Sequence, residues 1–408
     1  MTTAEPSAQA GPSRRQIRPA MPRLSHWGTG SPLAAALSLA AVVVGSQTLA
    51  ASTPLASSVR LLLPSEGLLA GLGDGLRRGY AQAMAEGRAC GVRPPTLQLG
   101  WVEPGADPRA VLEHAPRTSL LVAPPAADLA AYGRLAAEQR LTVLLPLQRG
   151  RSLEGLAQLT GSDRLWPVVP ARSLEVDRLA EGLLAEGRRR VMVVRDPSAD
   201  SLALSRRFEA SFSTGRGTVI GADGAVISLD GNDRAGIEQL IRDVDWYRPD
   251  ALVVLTSSES SLAASLRRAT WPEGLLLAWA APLKGDLTQA QLGVDPQSRG
   301  VGWAGFASRF SQRWGYRPGL VESAGYDTGL ISLLASVPVA GRPGWDLQWF
   351  NARAKPLPLC AALQQRRLGA SVRPQAATSR LDLAPGISPG AELNLQRLAS
   401  GAPAAPPP

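Results

Sequence analysis

The sequence predicts an α/β protein built from two doubly wound parallel-sheet lobes with a cleft between them. Short apolar runs alternate with amphipathic stretches from Val59 onward, as expected for strands that alternate with helices. The apolar runs are continuous, which is typical of parallel strands covered by helices on both faces. The pattern occurs twice, over 59–147 and 172–279, and 150–170 joins the two runs. Such an order is typical of a doubly wound design in each lobe.

The individual elements follow from apolar spacing and from Pro and Gly punctuation. In the first run we predict strands at 59–63, 96–102, 120–122 and 141–145, and helices at 68–86, 108–115 and 128–139. In the second run we predict strands at 190–194, 251–255 and 275–279, a strand with a turn at 219–229, and helices at 174–186, 201–212, 234–244 and 260–269.

The first 51 residues are expected to be a signal peptide or an N-terminal membrane anchor. Four arginines within the first 23 residues precede an apolar run at 32–44, and small residues follow at 48–51. This order is typical of a secretory signal, with cleavage after Ala50 as the favoured interpretation. The stretch 32–51 is also about long enough to span a bilayer as an uncleaved anchor. Either interpretation predicts an exported, periplasmic protein. If the segment is not cleaved, it is the only part of the protein that contacts the membrane.

The formal net charge of +9 raises the question of a nucleic-acid partner. The basic residues are almost all Arg, with Lys only at Lys284 and Lys355, and acids are interspersed among them. A phosphate-binding surface needs basic residues gathered on one face or along one run. We therefore expect no nucleic-acid partner.

Signatures of catalysis are weak, so we predict no enzyme, no metal site and no cofactor. His114 is the single His beyond the leader, and two Cys with one His do not provide the four clustered ligands of a zinc site. A Gly-x-Ser-x-Gly match around Ser388 lies in a turn-rich tail instead of between a strand and a helix. The spacing of Cys90 and Cys360 does not show whether they meet, and we expect two separate thiols.

Glycines at 67, 71, 73 and 75 follow the first predicted strand, where a dinucleotide-binding loop would lie. Their spacing does not match that fingerprint, because Leu76 stands at the position of the third glycine. We interpret them as a flexible loop and helix start that face a cleft.

Ligands of open α/β sheets bind beyond the carboxyl ends of the strands, which nominates residues for a ligand site. The candidate ligand-binding residues are Ser65, Glu66, Gln148, Arg149, Asp200, Ser258, Glu259 and Trp279. Arg149 with Ser65 suits an anion, and Asp200 or Glu259 suits an ammonium group. Trp279 or Trp166 suits stacking on a ring, although a solvated Arg149 and buried indoles are the plainer alternatives.

The most specific motif lies late in the chain. A predicted helix contains Phe306, Phe310 and Trp314 and ends at Gly315 and Pro318, and the next helix opens with Ala324, Tyr326 and Asp327. These residues resemble a late segment of type I periplasmic binding proteins, the branched-chain amino-acid (Leu/Ile/Val) binding family of ABC importers. The resemblance extends over about 59–383 and is strongest at 306–334.

The resemblance implies that the chain crosses between the lobes more than once. The expected division is 59–168 in the first lobe, 169–280 in the second, 281–336 returning to the first, 337–395 as a second-lobe or hinge tail, and 396–408 as a disordered tail. A closing strand and turn are expected at 381–386.

The function implied by the resemblance is that of an exported solute-binding protein of an ABC-type importer, with a membrane permease as partner. The ligand would be a small metabolite of the amino-acid, amide or organic-anion class. The loops at 124–127 and 147–150 lack the Ser and Thr residues that amino-acid binders of this family carry, so an α-amino acid is not indicated. The alternatives are a ligand sensor or envelope interaction module without transport, and an α/β enzyme that fits the architecture alone.

Overall fold

The computed structural model describes residues 58–112, 118–222, 226–283, 289–296 and 299–399. The predicted leader, the end of the predicted disordered tail, His114 and Lys284 lie outside the described residues.

The first parallel sheet has the strand order β2-β1-β3-β4-β5, and helices cover both of its faces. Its elements are β1 (Ser58–Pro64), α1 (Leu68–Ala89), β2 (Thr96–Val102), α2 (Pro108–Leu112), β3 (Leu120–Val122), α3 (Leu129–Gln139), β4 (Thr142–Leu145) and β5 (Leu165–Pro167). Three short 3₁₀ turns, Arg151–Leu153, Leu156–Gln158 and Ser162–Arg164, connect β4 to β5. Alternate residues of β1 point to opposite cores: Leu61 packs in the core that contains α1, and Leu62 packs in the core that contains α3.

The second sheet consists of parallel strands with one antiparallel edge strand. Its elements are α4 (Arg172–Ala185), β6 (Arg190–Arg195), α5 (Ala199–Thr214), β7 (Thr218–Val219), β8 (Ile227–Ser228), α6 (Arg234–Tyr247), β9 (Ala251–Leu255), α7 (Ser261–Arg268), β10 (Leu276–Trp279), β11 (Ala290–Asp295) and β16 (Asn394–Leu398). Helices α4 and α5 contribute to the core on one face, and α6 and α7 to the core on the other. Both sheets therefore carry helices on each side, as the continuous apolar strands predicted.

The chain returns to the first sheet after β11. The returning elements are α8 (Trp303–Trp314), α9 (Leu320–Ser336), β12 (Pro338–Val339), β13 (Arg342–Pro343), β14 (Pro356–Leu357), α10 (Leu359–Arg367) and β15 (Arg373–Pro374). Helix α9 is buried from Ser323 to Ala335 and packs along α1. The ring of Phe306 lies 4.5 Å from that of Tyr326, so the aromatic motif joins α8 to α9.

Glycines allow α1 and α9 to approach each other closely. A Cβ at Gly79 would lie 1.8 Å from the carbonyl oxygen of Glu322, and a Cβ at Gly325 would lie 2.1 Å from that of Leu76. The glycines at 71, 73 and 75 belong to the same helix α1. The predicted helix start is confirmed, with Gly67 directly before the helix, and part of the glycine-rich stretch is a helix-packing surface. That this stretch faces a ligand cleft stays a prediction.

Buried Asp327 on α9 anchors the loop that leads out of this lobe. Its carboxylate accepts hydrogen bonds from the backbone N–H of Ala377 at 2.7 Å, from that of Thr378 at 2.8 Å, and from the Thr378 hydroxyl. The same loop receives the chain that enters from the second sheet, because Gly300 N–H donates to the carbonyl of Ala377 at 3.0 Å. Asp327 thus fixes the base of two of the segments that join the lobes.

The C-terminal part differs from the expected division. Leu347, Trp349 and Val372 pack in the core of the first sheet, although 337–395 was expected to be a second-lobe or hinge tail. The closing strand is β16 instead of 381–386, where only one isolated bridge between Ala384 and Ile387 is present. Strand β16 pairs with β11 and completes the edge of the second sheet, so the predicted disordered tail begins too early. The expected limits of the other segments, 59–168, 169–280 and 281–336, stay a prediction.

Cys90 and Cys360 form a disulfide with Cα atoms 5.1 Å apart, so our expectation of two separate thiols was wrong. Cys90 directly follows α1, and Cys360 lies in the first turn of α10. The helices meet because α10 belongs to the segment that packs back on the first lobe, a placement that spacing in the sequence did not reveal. A disulfide is typical of an exported protein.

Asp327 should give the folding stability a specific pH dependence. Burial raises the pKa of Asp327 to about 6, against the lowering effect of the hydrogen bonds from Ala377 and Thr378. The folded state therefore binds a proton more readily than the unfolded state, so this group contributes stability below about pH 4 that is lost as the pH rises through about 6.

We expect Asp327→Asn, which cannot titrate, to lower the free energy of unfolding by about 1 kcal/mol more at pH 5 than at pH 7.5. Urea unfolding of both proteins at the two pH values measures the difference. Asp346→Asn, on the exposed loop after β13, is the control and should show no such change. An equal loss for Asp327→Asn at both pH values would contradict the assignment.

Candidate functional site

A cavity of about 280 Å³ lies at the junction between the two lobes, close to the carboxyl end of β4. Its walls come from the turn after β4, the starts of α4 and α5, and the segment that leads to β16. The lining residues are Arg149, Gly150, Arg151, Leu153, Glu154, Ala171, Arg172, Ser173, Asp200, Ala203, Leu204, Gly386, Ile387 and Ser388. This is the region in which open α/β sheets bind ligands.

Arg149 connects the first sheet to the second lobe at the edge of this cavity. Its guanidinium forms an ion pair with Glu175 of α4, and its Nε donates to the carbonyl of Pro170 at 3.0 Å. The backbone carbonyl of Arg149 accepts from the N–H of Arg172 at 2.7 Å. The side chain of Glu175 is only 3% exposed and that of Arg149 only 14%, so the pair is largely removed from water. The residue that we nominated as a ligand anchor is thus already engaged between the lobes.

Asp200 faces the same turn from the second lobe. Its carboxylate accepts a hydrogen bond from the backbone N–H of Arg151 at 3.2 Å. A Cβ on Gly150 would lie 3.2 Å from the second carboxylate oxygen, so a side chain there would crowd this contact. Asp200 therefore holds the turn after β4 against the start of α5.

The formal charges of the side chains around the cavity balance, so its electrostatic preference comes from the helix starts. Arg149, Arg151 and Arg172 line it, Glu154 and Asp200 line it as well, and Arg149 is neutralised by Glu175. The first turns of α4 and α5 both contribute to the lining, and helix N-termini carry partial positive charge. Helix α4 begins after Ala171 without a side-chain cap, whereas Ser198 caps α5. The arrangement suits a small anionic group better than a cation.

The other predicted residues of the first lobe do not line this cavity. The Ser65 hydroxyl donates to the carbonyl of Val102 at 3.3 Å, and Glu66 is exposed to solvent. Gln148 is buried, and its amide donates to the carbonyl of Pro124 at 2.5 Å. Gln148 thus fixes the loop after β3, while its role as a ligand contact stays a prediction, as it does for Ser65 and Glu66.

The candidates at the strand ends of the second sheet form a separate group. The indole of Trp279 is 2% exposed and lies under the guanidinium of Arg267, at 4.8 Å. Arg267 also donates to the carbonyl of Ser258 at 2.8 Å, and the Ser258 hydroxyl donates to the carboxylate of Glu259 at 3.2 Å. A ligand could stack on Trp279 only after Arg267 moves, so this contact stays a prediction. Trp166 is likewise buried, in the core of the first lobe.

Asp196 organises the strand ends beside this group. Burial raises the pKa of its carboxyl, but hydrogen bonds from Ser198 and the hydroxyl of Thr256 outweigh that effect and hold the pKa below its usual value. The carboxylate is therefore charged at neutral pH and keeps the ends of β6 and β9 together.

Sequence reasoning missed several residues that line or support the cavity. Arg172 and Ser173 form the start of α4, directly after the linker between the two runs. The position of a helix start beside this linker could have nominated them from the sequence. Glu175 carried no signal, since its burial depends on the partner from the other lobe. Ser388, dismissed with the Gly-x-Ser-x-Gly match, does line the cavity, but its hydroxyl donates to the carbonyl of Val169 at 3.0 Å, a structural contact.

The described residues contain no group of His, Cys, Asp and Glu side chains arranged to hold a metal ion. None of the described helices combines the length and the apolar character that a bilayer-spanning helix requires.

Comparisons with known proteins identify the fold. No protein-family model matches the chain, and no curated protein is similar to it in sequence. Among solved structures, a branched-chain amino acid ABC transporter periplasmic ligand-binding protein from Burkholderia xenovorans LB400 matches with a TM-score of 0.60 at 12% identity, covering 84% of this chain and 90% of that chain. An ABC transporter solute-binding protein from R. palustris in complex with benzoate matches with a TM-score of 0.52 at 17% identity, covering 86% and 97%.

A third match is an ABC transporter substrate-binding protein from Desulfitobacterium hafniense in complex with Leu, with a TM-score of 0.54 at 13% identity, covering 85% of this chain and 98% of that chain. At such identities the likeness shows the fold alone. The predicted fold class, two α/β lobes of the type I periplasmic binding protein kind, is confirmed.

The buried pair between the lobes should matter more to stability than an exposed pair. Glu175→Gln leaves the guanidinium of Arg149 without its counter-charge, and we expect the free energy of unfolding to fall by about 3 kcal/mol. Glu138→Gln makes the same change at the exposed pair of Glu138 with Arg109 and should cost less than about 1 kcal/mol. Urea unfolding followed by tryptophan fluorescence measures both values, and equal losses would contradict the role of the Arg149–Glu175 pair.

Proposed function

We propose that this protein is an exported solute-binding protein of an ABC-type importer that binds a small organic anion between its two lobes. The observation that carries the proposal is the cavity at the junction of the lobes, lined by three Arg side chains and by the first turns of α4 and α5. Its volume of about 280 Å³ lies just below the range of roughly 300–1,000 Å³ that is typical of small-molecule sites, so the solute would be small.

The polar groups divide into supporting and ligand-facing sets. Arg149 is neutralised by Glu175, so it positions the turn after β4. Arg172 and Arg151 are the cations left to face an anion, together with the start of α4, and Glu154 and Asp200 are the acids in the same lining. The carboxylate of Asp200 is engaged by the backbone N–H of Arg151. Bound benzoate in a protein of this fold is consistent with a carboxylate ligand, and bound Leu in another shows that the fold also holds amino acids. The absence of Ser and Thr from the loops at 124–127 and 147–150 favours the anion.

Binding would occur without turnover or a cofactor. The two lobes would close on the solute by a hinge motion of the joining segments, and the closed form would deliver the solute to a membrane permease. Ser65, Glu66, Ser258, Glu259 and Trp279 lie beyond the cavity and would be contacts of the closed form. The predicted leader and the disulfide support a periplasmic location.

The direct test compares the melting temperature of the purified protein without solute and with each member of a panel of solutes. The panel contains aromatic and aliphatic carboxylates, amino acids, amides, short peptides and urea-like solutes. A ligand at 100 times its dissociation constant stabilises the folded state by about 2.7 kcal/mol, which gives a clear upward shift. We expect the shift with carboxylates and not with the neutral amides.

The matched variants are Arg172→Gln at the cavity and Arg109→Gln on α2, outside its lining. We expect Arg172→Gln to abolish the carboxylate shift and Arg109→Gln to retain it. A shift with amino acids alone would contradict the anionic ligand. A flat response to the whole panel would contradict the solute-binding role and favour the sensor or envelope interaction module.

A further inference from the structure

Strand β2 carries an unusual exposed apolar row at the edge of the first sheet. Three of the eight large apolar side chains that are exposed in the described chain lie on this strand: Leu97 is 36% exposed, Leu99 43% and Trp101 60%. Their spacing of two residues places them on one face of the strand. Exposed, contiguous apolar side chains on an edge strand are typical of an interaction surface.

The register shows why helix α1 leaves these residues uncovered. Leu97, Leu99 and Trp101 pair with Val59, Leu61 and Leu63 of β1, which pack in the core beneath α1. The row therefore continues the core face of the sheet outward by one strand. Helix α1 covers β1 but leaves this face of β2 exposed, so a further partner would extend an existing core.

The backbone of the same residues is also available for pairing. The carbonyl of Val102 points toward β1, because it accepts a hydrogen bond from the N–H of Ser65 at 3.0 Å. Backbone groups alternate along a strand, so Leu97, Leu99 and Trp101 present their N–H and C=O groups to the outer edge. Within the described parts of the chain no strand pairs with that edge.

We propose that β2 pairs antiparallel with β2 of a second copy of this chain, with the two-fold axis at Leu99. In this register Leu99 lies opposite Leu99 of the second copy, and Leu97 lies opposite Trp101, so six apolar side chains form one patch across the axis. All three residues of each copy then form hydrogen-bonded pairs. The two first sheets join into one continuous sheet of ten strands.

Charge complementarity favours a second copy as the occupant. Arg93 precedes β2, Glu103 directly follows it, and both side chains are exposed. Antiparallel pairing about Leu99 brings the Arg93 side of one copy to the Glu103 side of the other, offset by two residues. The two-fold axis creates this opposite-charge contact twice. A parallel arrangement would instead place like charges side by side.

The register is tested by cross-linking the full-length protein. The described residues contain no free Cys, and both Cys of the sequence form the disulfide, so an introduced Cys is the single thiol. With a short bifunctional thiol reagent we expect Leu99→Cys to give a covalent dimer. Leu97→Cys alone should not cross-link, but a mixture of Leu97→Cys and Trp101→Cys should. The control is Leu368→Cys, at a residue that is 75% exposed, which should give no covalent dimer.

The affinity is tested by sedimentation of the charge variants. We expect Arg93→Glu and Glu103→Arg each to raise the dissociation constant of the dimer by roughly tenfold, and the double variant to restore it. Leu99→Glu should weaken the dimer further, while Leu368→Glu leaves it unchanged. A protein that is monomeric at all concentrations, or a dimer that Leu99→Glu and the cross-linking register leave unaffected, would overturn the proposal. These results do not depend on ligand binding, so they are separate from the test of solute binding.

Discussion

The close contact of α1 with α9 through glycine is the constraint on which the rest of the fold depends. Side chains at Gly79 or Gly325 would collide with the backbone of the facing helix. The contact seats α9 deep in the first lobe, where Asp327 points at the loop around Ala377. That loop holds the chain that enters from the second sheet and begins the chain that returns to β16. Helix packing in one lobe thus fixes two of the connections between lobes.

The remaining connection is organised by Arg149. It extends from the turn after β4 to Glu175 of α4, so an ion pair and backbone hydrogen bonds span the first passage between the lobes. Removing either partner would leave an uncompensated buried charge, so the pair stabilises the contact between the turn after β4 and α4. The cavity lies beside this pair, and its shape therefore depends on it.

The sequence predicted what depends on local pattern and failed where distant segments meet. Apolar runs gave most strands and helices of both sheets within a few residues, and the motif from Phe306 to Asp327 pointed to the correct fold. The strand β16, the disulfide and the placement of α10 each depend on contacts between segments far apart in the chain. The rule for strand ends nominated Arg149 and Asp200, which do line the cavity. It could not show that Glu175 neutralises Arg149, because that partner comes from the other lobe.

We propose that the lobes close on an anion bound at their junction. Small-angle X-ray scattering of the purified protein, without solute and with saturating amounts of the carboxylate that binds best, measures this closure. We expect a smaller radius of gyration with the carboxylate for the wild type and for Arg109→Gln, and no change for Arg172→Gln. An unchanged radius of gyration in wild-type protein that demonstrably binds the carboxylate would contradict it.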